Sequence, residues 1–310
     1  MQYITMIYHR ETGRLVTIRE YRIPTPDARP YICAEGADGN LWFCESGASK
    51  VGCFNLTDHS FNEFELPTPN AMPIGMIGGA NRDMWFCEKA ANKIGHITLE
   101  GVIREFEIAT PKSGPDGIML GPDGNVWFSM TETSRIGRIT PAGVITEFEA
   151  GIPRGCKPLS VVVRDGALWF SQAAGDSVGR ITVDGVVSEY PIPTKGSQPR
   201  AMTVHPDGSI WFVQTSSNSL GRVDRDGHIT EHKVTTPEAS LRGVCTTADG
   251  DVWATENFAN KIAHMSADGR MIGEYDIPTK DSGARCIATT SGGRIFFTQH
   301  DSGSIGEVVR

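Results

Sequence analysis

The chain of 310 residues is 39% hydrophobic and 21% charged, a balance that fits a folded chain and excludes a disordered one. Its formal net charge of −8 leaves no excess of Lys and Arg to displace phosphate counterions, which argues against general nucleic-acid binding. No run of 18 apolar residues occurs, so no membrane-spanning helix is expected.

The N-terminus reads MQYITMIYHRETGRL. It lacks the basic start, apolar stretch and small-residue cleavage site of a secretory leader, and a cytoplasmic location is expected. Residues 13–26, GRLVTIREYRIPTP, read as one alternating strand ahead of the first repeat. Aromatic anchors then recur at Trp42, Trp85, Trp127, Trp169, Trp211, Trp253 and Phe296, spaced 43, 42, 42, 42, 42 and 43 residues apart. A period near 42 is that of one four-stranded propeller blade, so the seven anchors predict an all-β, seven-bladed β-propeller. A single domain over residues 1–310 is expected.

Residues 114–153 illustrate one unit. The apolar run GIMLG suits a strand buried near an axis, PDGN is a tight turn, and VWFSM carries the aromatic that packs between blades. RIGRIT, the turn PAG and the alternating VITEFEA complete four antiparallel strands. The last repeat stops after its third strand, at SIGEVVR. Its missing outer strand stands at the other end of the chain, so residues 13–26 are expected to complete the last blade and close the ring. Residues 1–12 are expected either as an extra edge strand or lying along blade seven. Cys33, Cys44, Cys53, Cys87, Cys156, Cys245 and Cys286 include no CxxC pair and sit among apolar neighbours, which predicts reduced, buried thiols.

The repeated pattern is visible in DGNLWFCESGASKVG, RDMWFCEKAANKIGHITLEGVIREFEIATP and DGDVWATENFANKIAH. It resembles the streptogramin B lyases (virginiamycin B lyases) over nearly the whole chain. The resemblance implies a magnesium-dependent enzyme that opens a cyclic depsipeptide by elimination across its ester, at the mouth where the innermost strands begin. It also implies a Tyr in the first blade, a His in the sixth, a Glu-x-His pair in the seventh, and a further Glu after that blade's second strand. Tyr31 in ARPYICA keeps the first of these. Arg242 in SLRGVC stands at the sixth-blade His position, Gly283 and Arg285 stand at the Glu-x-His pair, and His300 in FFTQHDS aligns with the further Glu.

That substitution pattern alters the expected chemistry. Gly offers no ligand, and His suits a hard oxygen-seeking cation poorly. Arg stays charged at any working pH and does not exchange a proton as His does. No cofactor is expected, and magnesium would need a site rebuilt from other residues.

Register places Tyr31, Ile74, Asp116, Leu159, Arg200, Arg242 and Arg285 at equivalent mouth positions. Three guanidinium groups on blades five, six and seven, beside Tyr31, point to a pocket for a carboxylate, phosphate or enolate. The alternative is that each Arg bonds carbonyls of the neighbouring blade or turns to solvent. His300 is the titratable candidate, with a surface His beside Asp301 as its plain alternative. Tyr31 reads as a hydrogen-bond donor, an acid or an aromatic lining. Glu45, Glu88 and Glu256 recur with the repeat and are expected to bond backbone of an adjacent loop, with Gln172, Gln214 and Gln299 in the same register.

These readings predict a small-molecule enzyme of lyase, cyclase or isomerase type, with an arginine-rich, metal-independent mouth, acting on an anionic or enolisable substrate in specialised metabolism. Tyr31, Arg242, Arg285 and His300 are the catalytic candidates, and Arg200 and Asp116 the substrate-binding ones. The alternatives are a non-catalytic ligand- or protein-binding propeller and a magnesium-dependent streptogramin-type lyase. A small anionic partner is expected, with neither nucleic acid nor membrane. Oligomeric state is left open, as is whether the loop EAGIPRGCKP, residues 149–158, plugs the mouth.

Overall fold

The computed structural model describes the backbone of residues 3–8, 15–149 and 151–310, and side chains over 16–149 and 151–310. Among these residues every regular element is a β-strand, and the strands pair antiparallel in seven sheets. Blade one runs outward through Pro30–Glu35, Leu41–Glu45, Lys50–Phe54 and Phe61–Glu65. The innermost strands of the next six blades are Pro73–Gly78, Pro115–Leu120, Pro158–Arg164, Pro199–Val204, Leu241–Thr246 and Ala284–Thr289. Each packs against the innermost strand of the blade before it, and the seventh packs against the first, so the ring is closed.

Closure uses the N-terminal strand. Leu15–Arg22 pairs with Ser304–Val309, Thr17 opposite Val309 and Arg22 opposite Ser304. The Tyr21 hydroxyl donates to Glu307 at 2.9 Å, and the Arg22 guanidinium bonds the Ser302 carbonyl. Tyr3–Tyr8 pairs outside this strand, so blade seven carries a fifth strand where the other blades have four. Residues 13 and 14 of the expected closing segment lie outside the described residues, as do residues 9–12.

The repeat period has a packing cause. Each Trp anchor lies against an aromatic of its own blade's fourth strand in most blades; Trp42 stacks on Phe64 at 5.6 Å and Trp127 on Phe148 at 5.1 Å. The residue after the anchor covers a glycine of the third strand, where a Cβ on Gly137 would meet the Phe128 ring at 2.2 Å. Blade six changes both partners together: Ala254 stands opposite Ala263 where the other blades pair Phe with Gly. A lost ring and a gained methyl fit the same space.

Candidate active site

In every blade the innermost strand slips register with the second strand directly after its first residue. In blade one Pro30 faces Glu45, and the next pair is Cys33 with Phe43. The same slip follows Pro73, Pro115, Pro158, Pro199, Leu241 and Ala284. Such a bulge bends the strand and re-aims the side chains inside it. The seven mouth positions are the first residue of each bulge.

In blades three, six and seven a hydroxyl on the second strand sits in the bulge and ties adjacent blades together. Thr255 Oγ1 accepts from the Gly243 N–H at 2.8 Å and donates to the Arg285 carbonyl at 2.7 Å. Thr298 Oγ1 accepts from the Cys286 N–H at 3.0 Å and donates to the Tyr31 carbonyl at 2.7 Å. Ser129 does the same between Gly117 and Leu159. The third inner-strand position is glycine in three blades because backbone of the next blade comes so close. A Cβ on Gly75 would meet the Asp116 carbonyl at 2.0 Å, and one on Gly243 the Arg285 carbonyl at 2.3 Å. Sequence reading missed these hydroxyls; the recurring Ser or Thr after the aromatic pair was the available signal.

The bulges open onto a cavity of about 540 Å³ lined by innermost-strand residues of all seven blades. Tyr31, Asp116, Leu159, Arg200, Arg242 and Arg285 line it. Ile74 does not: it is 1% exposed and packs into the core between blades two and three, with Tyr31 against the same cluster. The described residues of the 149–158 loop are also absent from the lining. Ile152 and Cys156 are buried in the core between blades three and four, and the Gly155 N–H bonds Ser134 Oγ at 2.9 Å.

The arginines are unpaired. Among the described residues the Arg200, Arg242 and Arg285 guanidiniums make no hydrogen bond or ion pair, and each Nε is buried without a partner. All three are half-buried, so neither backbone bonding nor full release to solvent describes them. Burial first, and then repulsion from Arg200 and Arg285, bring the Arg242 pKa down to about 10, against a small opposing pull from Tyr31. The Arg285 guanidinium carbon lies 4.9 Å from the centre of the Tyr31 ring.

Asp116 is not free to compensate them. Its Oδ2 is 2.6 Å from Nζ of Lys89, a residue the sequence reading did not single out. Burial pulls the Lys89 ammonium down, but the charge and hydrogen bond of Asp116 more than offset this and its pKa is raised. Lys89 directly follows the second strand of blade two, the place His300 holds in blade seven. Thr131, Thr215 and Asn257 in that register bond carbonyls of the next blade's innermost strand. A charged residue in an otherwise neutral register was the missed signal.

His300 stands beside the cavity and does not line it. Its ring is edge-on to Tyr31, with centroids 6.1 Å apart, and its Nδ1 is 2.5 Å from Asp301 Oδ1. Burial holds its pKa below the ordinary histidine value; the Asp301 hydrogen bond opposes this and the Arg285 charge adds to it.

The positions that the resemblance assigns to magnesium do not fit that ion. Gly283 has φ +68, and a Cβ there would lie 2.3 Å from Asp301 Oδ2. Asp301 is committed to His300, and Asp116 to Lys89. A hard cation that needs several oxygen ligands would meet a glycine, and carboxylates already bonded to His300 and Lys89, next to three guanidinium groups.

Two further expectations meet different outcomes. Glu45, Glu88 and Glu256 do not bond an adjacent loop's backbone: they are fully buried, and Glu45 and Glu256 instead share a hydrogen bond with the outer-strand carboxyls of Glu63 and Glu274. Burial, and then the charges of Glu63, Glu105 and Glu274, push their pKa up to about 8. The repeat periodicity could not distinguish a bonded carboxylate from a buried, protonated one. The seven cysteines are all free, as expected, with Cys33 Sγ and Cys286 Sγ 3.8 Å apart at the blade-seven to blade-one seam.

The virginiamycin B lyase family model matches residues 4–163 and 120–310. A streptogramin B lyase structure superposes with a TM-score of 0.90 at 32% identity, covering 95% of this chain and 97% of that one. Virginiamycin B lyase from Staphylococcus aureus gives 0.91 at 35% identity, over 95% of this chain and 99% of that one. The catalytically inactive histidine-to-alanine variant of the Staphylococcus aureus enzyme, with quinupristin, gives 0.91 at 35% over the same shares. No match was found among curated proteins. The repeat, the closed seven-bladed ring and these likenesses agree, and the chain belongs to the virginiamycin B lyase family.

Proposed function

We propose that the protein is a small-molecule enzyme of lyase, cyclase or isomerase type whose mouth acts without a metal on an anionic or enolisable substrate. The observation that carries this reading is the set of three guanidinium groups on adjacent blades that make no hydrogen bond or ion pair among the described residues. Fixed positive charge of this kind binds a substrate carboxylate and stabilises an enolate-like anion as it forms, with little reorganisation. Tyr31 lies against Arg285, and its hydroxyl has no hydrogen-bond partner among the described residues, so it is placed to give or take a proton at the anchored substrate. His300, kept neutral near neutral pH and oriented by Asp301, supports Tyr31 from behind. Asp116, held by Lys89, contacts the substrate from the opposite wall.

The reading is tested by incubating the protein with small carboxylates, phosphate esters and quinupristin, with EDTA or with magnesium, and following masses. The expected product is isomeric with its substrate or split without added water, insensitive to EDTA. Arg285→Ala is expected to lower the rate roughly a hundredfold. Magnesium-dependent opening of quinupristin would overturn the reading in favour of the relatives' chemistry. Saturable binding without turnover of any compound would reduce the mouth to a ligand-binding platform.

A further inference from the structure

The charge balance of the mouth narrows what it holds. Arg200, Arg242 and Arg285 bring three positive charges to one arc, from innermost strands that pack against one another. The carboxylates closest to the arc make their bonds elsewhere: Asp116 pairs with Lys89 at 2.6 Å, and Asp301 hydrogen-bonds His300 at 2.5 Å. At the far end of the cavity Glu35 accepts from the Ser291 N–H at 2.7 Å and the Ser291 hydroxyl at 2.8 Å. Tyr31 adds no charge while its hydroxyl is protonated. A monoanion would balance one of the three guanidiniums and leave two repelling each other in a half-buried setting. Much of the remaining lining is apolar, with Met76, Met119, Leu159 and Val161 on blades two to four. A cavity of about 540 Å³ has room for a head group and a body together.

We infer that the arc of Arg200, Arg242 and Arg285 is the head-group site for a doubly charged oxyanion, a phosphoryl group or a pair of carboxylates on one molecule. The apolar remainder of that molecule lies toward blades two to four. Such a head offers three or four oxygens, enough for each guanidinium fork to take at least one. This deepens the proposed function and rests on its assignment of the arc as the substrate anchor; it does not require that turnover occur.

Binding to the full chain, measured by calorimetry at fixed low ionic strength, decides it. Phenyl phosphate and benzoate carry the same ring with different charge, succinate offers paired carboxylates, and sulfate is a dianion throughout. Phenyl phosphate is expected to bind about tenfold or more tighter than benzoate. Its affinity should rise as the pH passes about 6, where a phosphate monoester loses its second proton, while sulfate stays flat. Titration of the protein's own groups, Lys89, Asp116, His300 and Asp301 among them, would appear with both ions and so cancels in the comparison. Succinate binding as tightly as phenyl phosphate would assign the head to paired carboxylates; succinate binding like benzoate would assign it to phosphoryl.

Arg242→Gln and Arg200→Gln are each expected to weaken phenyl phosphate by roughly tenfold or more. In anion-free buffer each should also raise Tm, because an unpaired charge is removed. A variant that merely misfolds would lower both. Equal affinity for benzoate and phenyl phosphate, or a sulfate affinity unchanged in both variants, overturns the dianion site. Turnover of a monocarboxylate with no preference for dianions also overturns it while the enzyme reading stands. Dianion binding without turnover upholds it and counts against the enzyme reading alone.

Discussion

Blades five to seven and blades two to four share one cavity and one backbone bulge, yet they present opposite chemistry. The first arc offers Arg200, Arg242 and Arg285, none with a hydrogen bond or ion pair among the described residues. The second offers Leu159, a covered Ile74, and Asp116 already neutralised by Lys89. The scaffold determines where a mouth side chain starts; it does not determine what that side chain finds. Function therefore sits in the residues that vary within the repeat, and structure in those that recur.

The comparison can be broken most sharply by charge reversal. Arg200→Glu would give Arg242 an internal partner and cut the arc's net charge from three positive to one. Anion affinity is expected to fall roughly a hundredfold, as measured by calorimetry with sulfate. An unchanged affinity would mean that Arg200 takes no part in the arc. Lys89→Met attacks the other side. It frees the Asp116 carboxylate in a partly buried setting and is expected to lower stability by about 1 to 2 kcal/mol. It should also weaken sulfate severalfold by setting an uncompensated negative charge across the cavity; restoration by Lys89→Arg would tie the effect to the ion pair.

A finer distinction comes from the bridging hydroxyls. Thr255→Val leaves the Gly243 N–H and the Arg285 carbonyl without their partner, and a loss of about 1 to 3 kcal/mol is expected by denaturant unfolding. Ser129→Ala removes the equivalent bridge between Gly117 and Leu159 and should lose a similar amount. Only the first substitution should also weaken anion binding, because only it loosens the backbone under an arginine. Equal effects on binding would mean that the bulge is rigid without the bridge.

A last distinction is a pH dependence of buried carboxyls found in both arcs. Glu45, Glu88 and Glu256 ionise in the usual carboxylate range when unfolded, but burial and then the neighbouring Glu63, Glu105 and Glu274 hold them near 8 when folded. Between these values the folded chain binds more protons than the unfolded one, so stability falls as pH rises through about 8. Replacing all three with Gln, the residue that blades four, five and seven carry there, should flatten the fall of Tm between about pH 6 and about pH 9. A Tm slope identical to that of the parent would show that these carboxyls are ionised in the fold.

The particular residues explain what could be read early. The aromatic anchors and the truncated last repeat specify a closed ring of seven blades because large rings and tight turns must recur wherever the same packing recurs. The mouth register was legible for the same reason, since every bulge follows the first position of its innermost strand. The Lys89–Asp116 pair was not, because it joins a position after one strand to a bulge in the next blade, 27 residues on. Nor was the covering of Ile74, which depends on where Tyr31 leans, or the protonated state of Glu88, which depends on the burial of both oxygens and on Glu105.

Local sequence thus determined the period, the blade count and the presence of three arginines in one register, because these follow from side-chain size and spacing along the chain. Tertiary structure alone decided which of those charges stay unpaired, which carboxylates are committed and which positions reach the cavity. Charge compensation is set by distance and burial across blades, and a linear pattern carries neither.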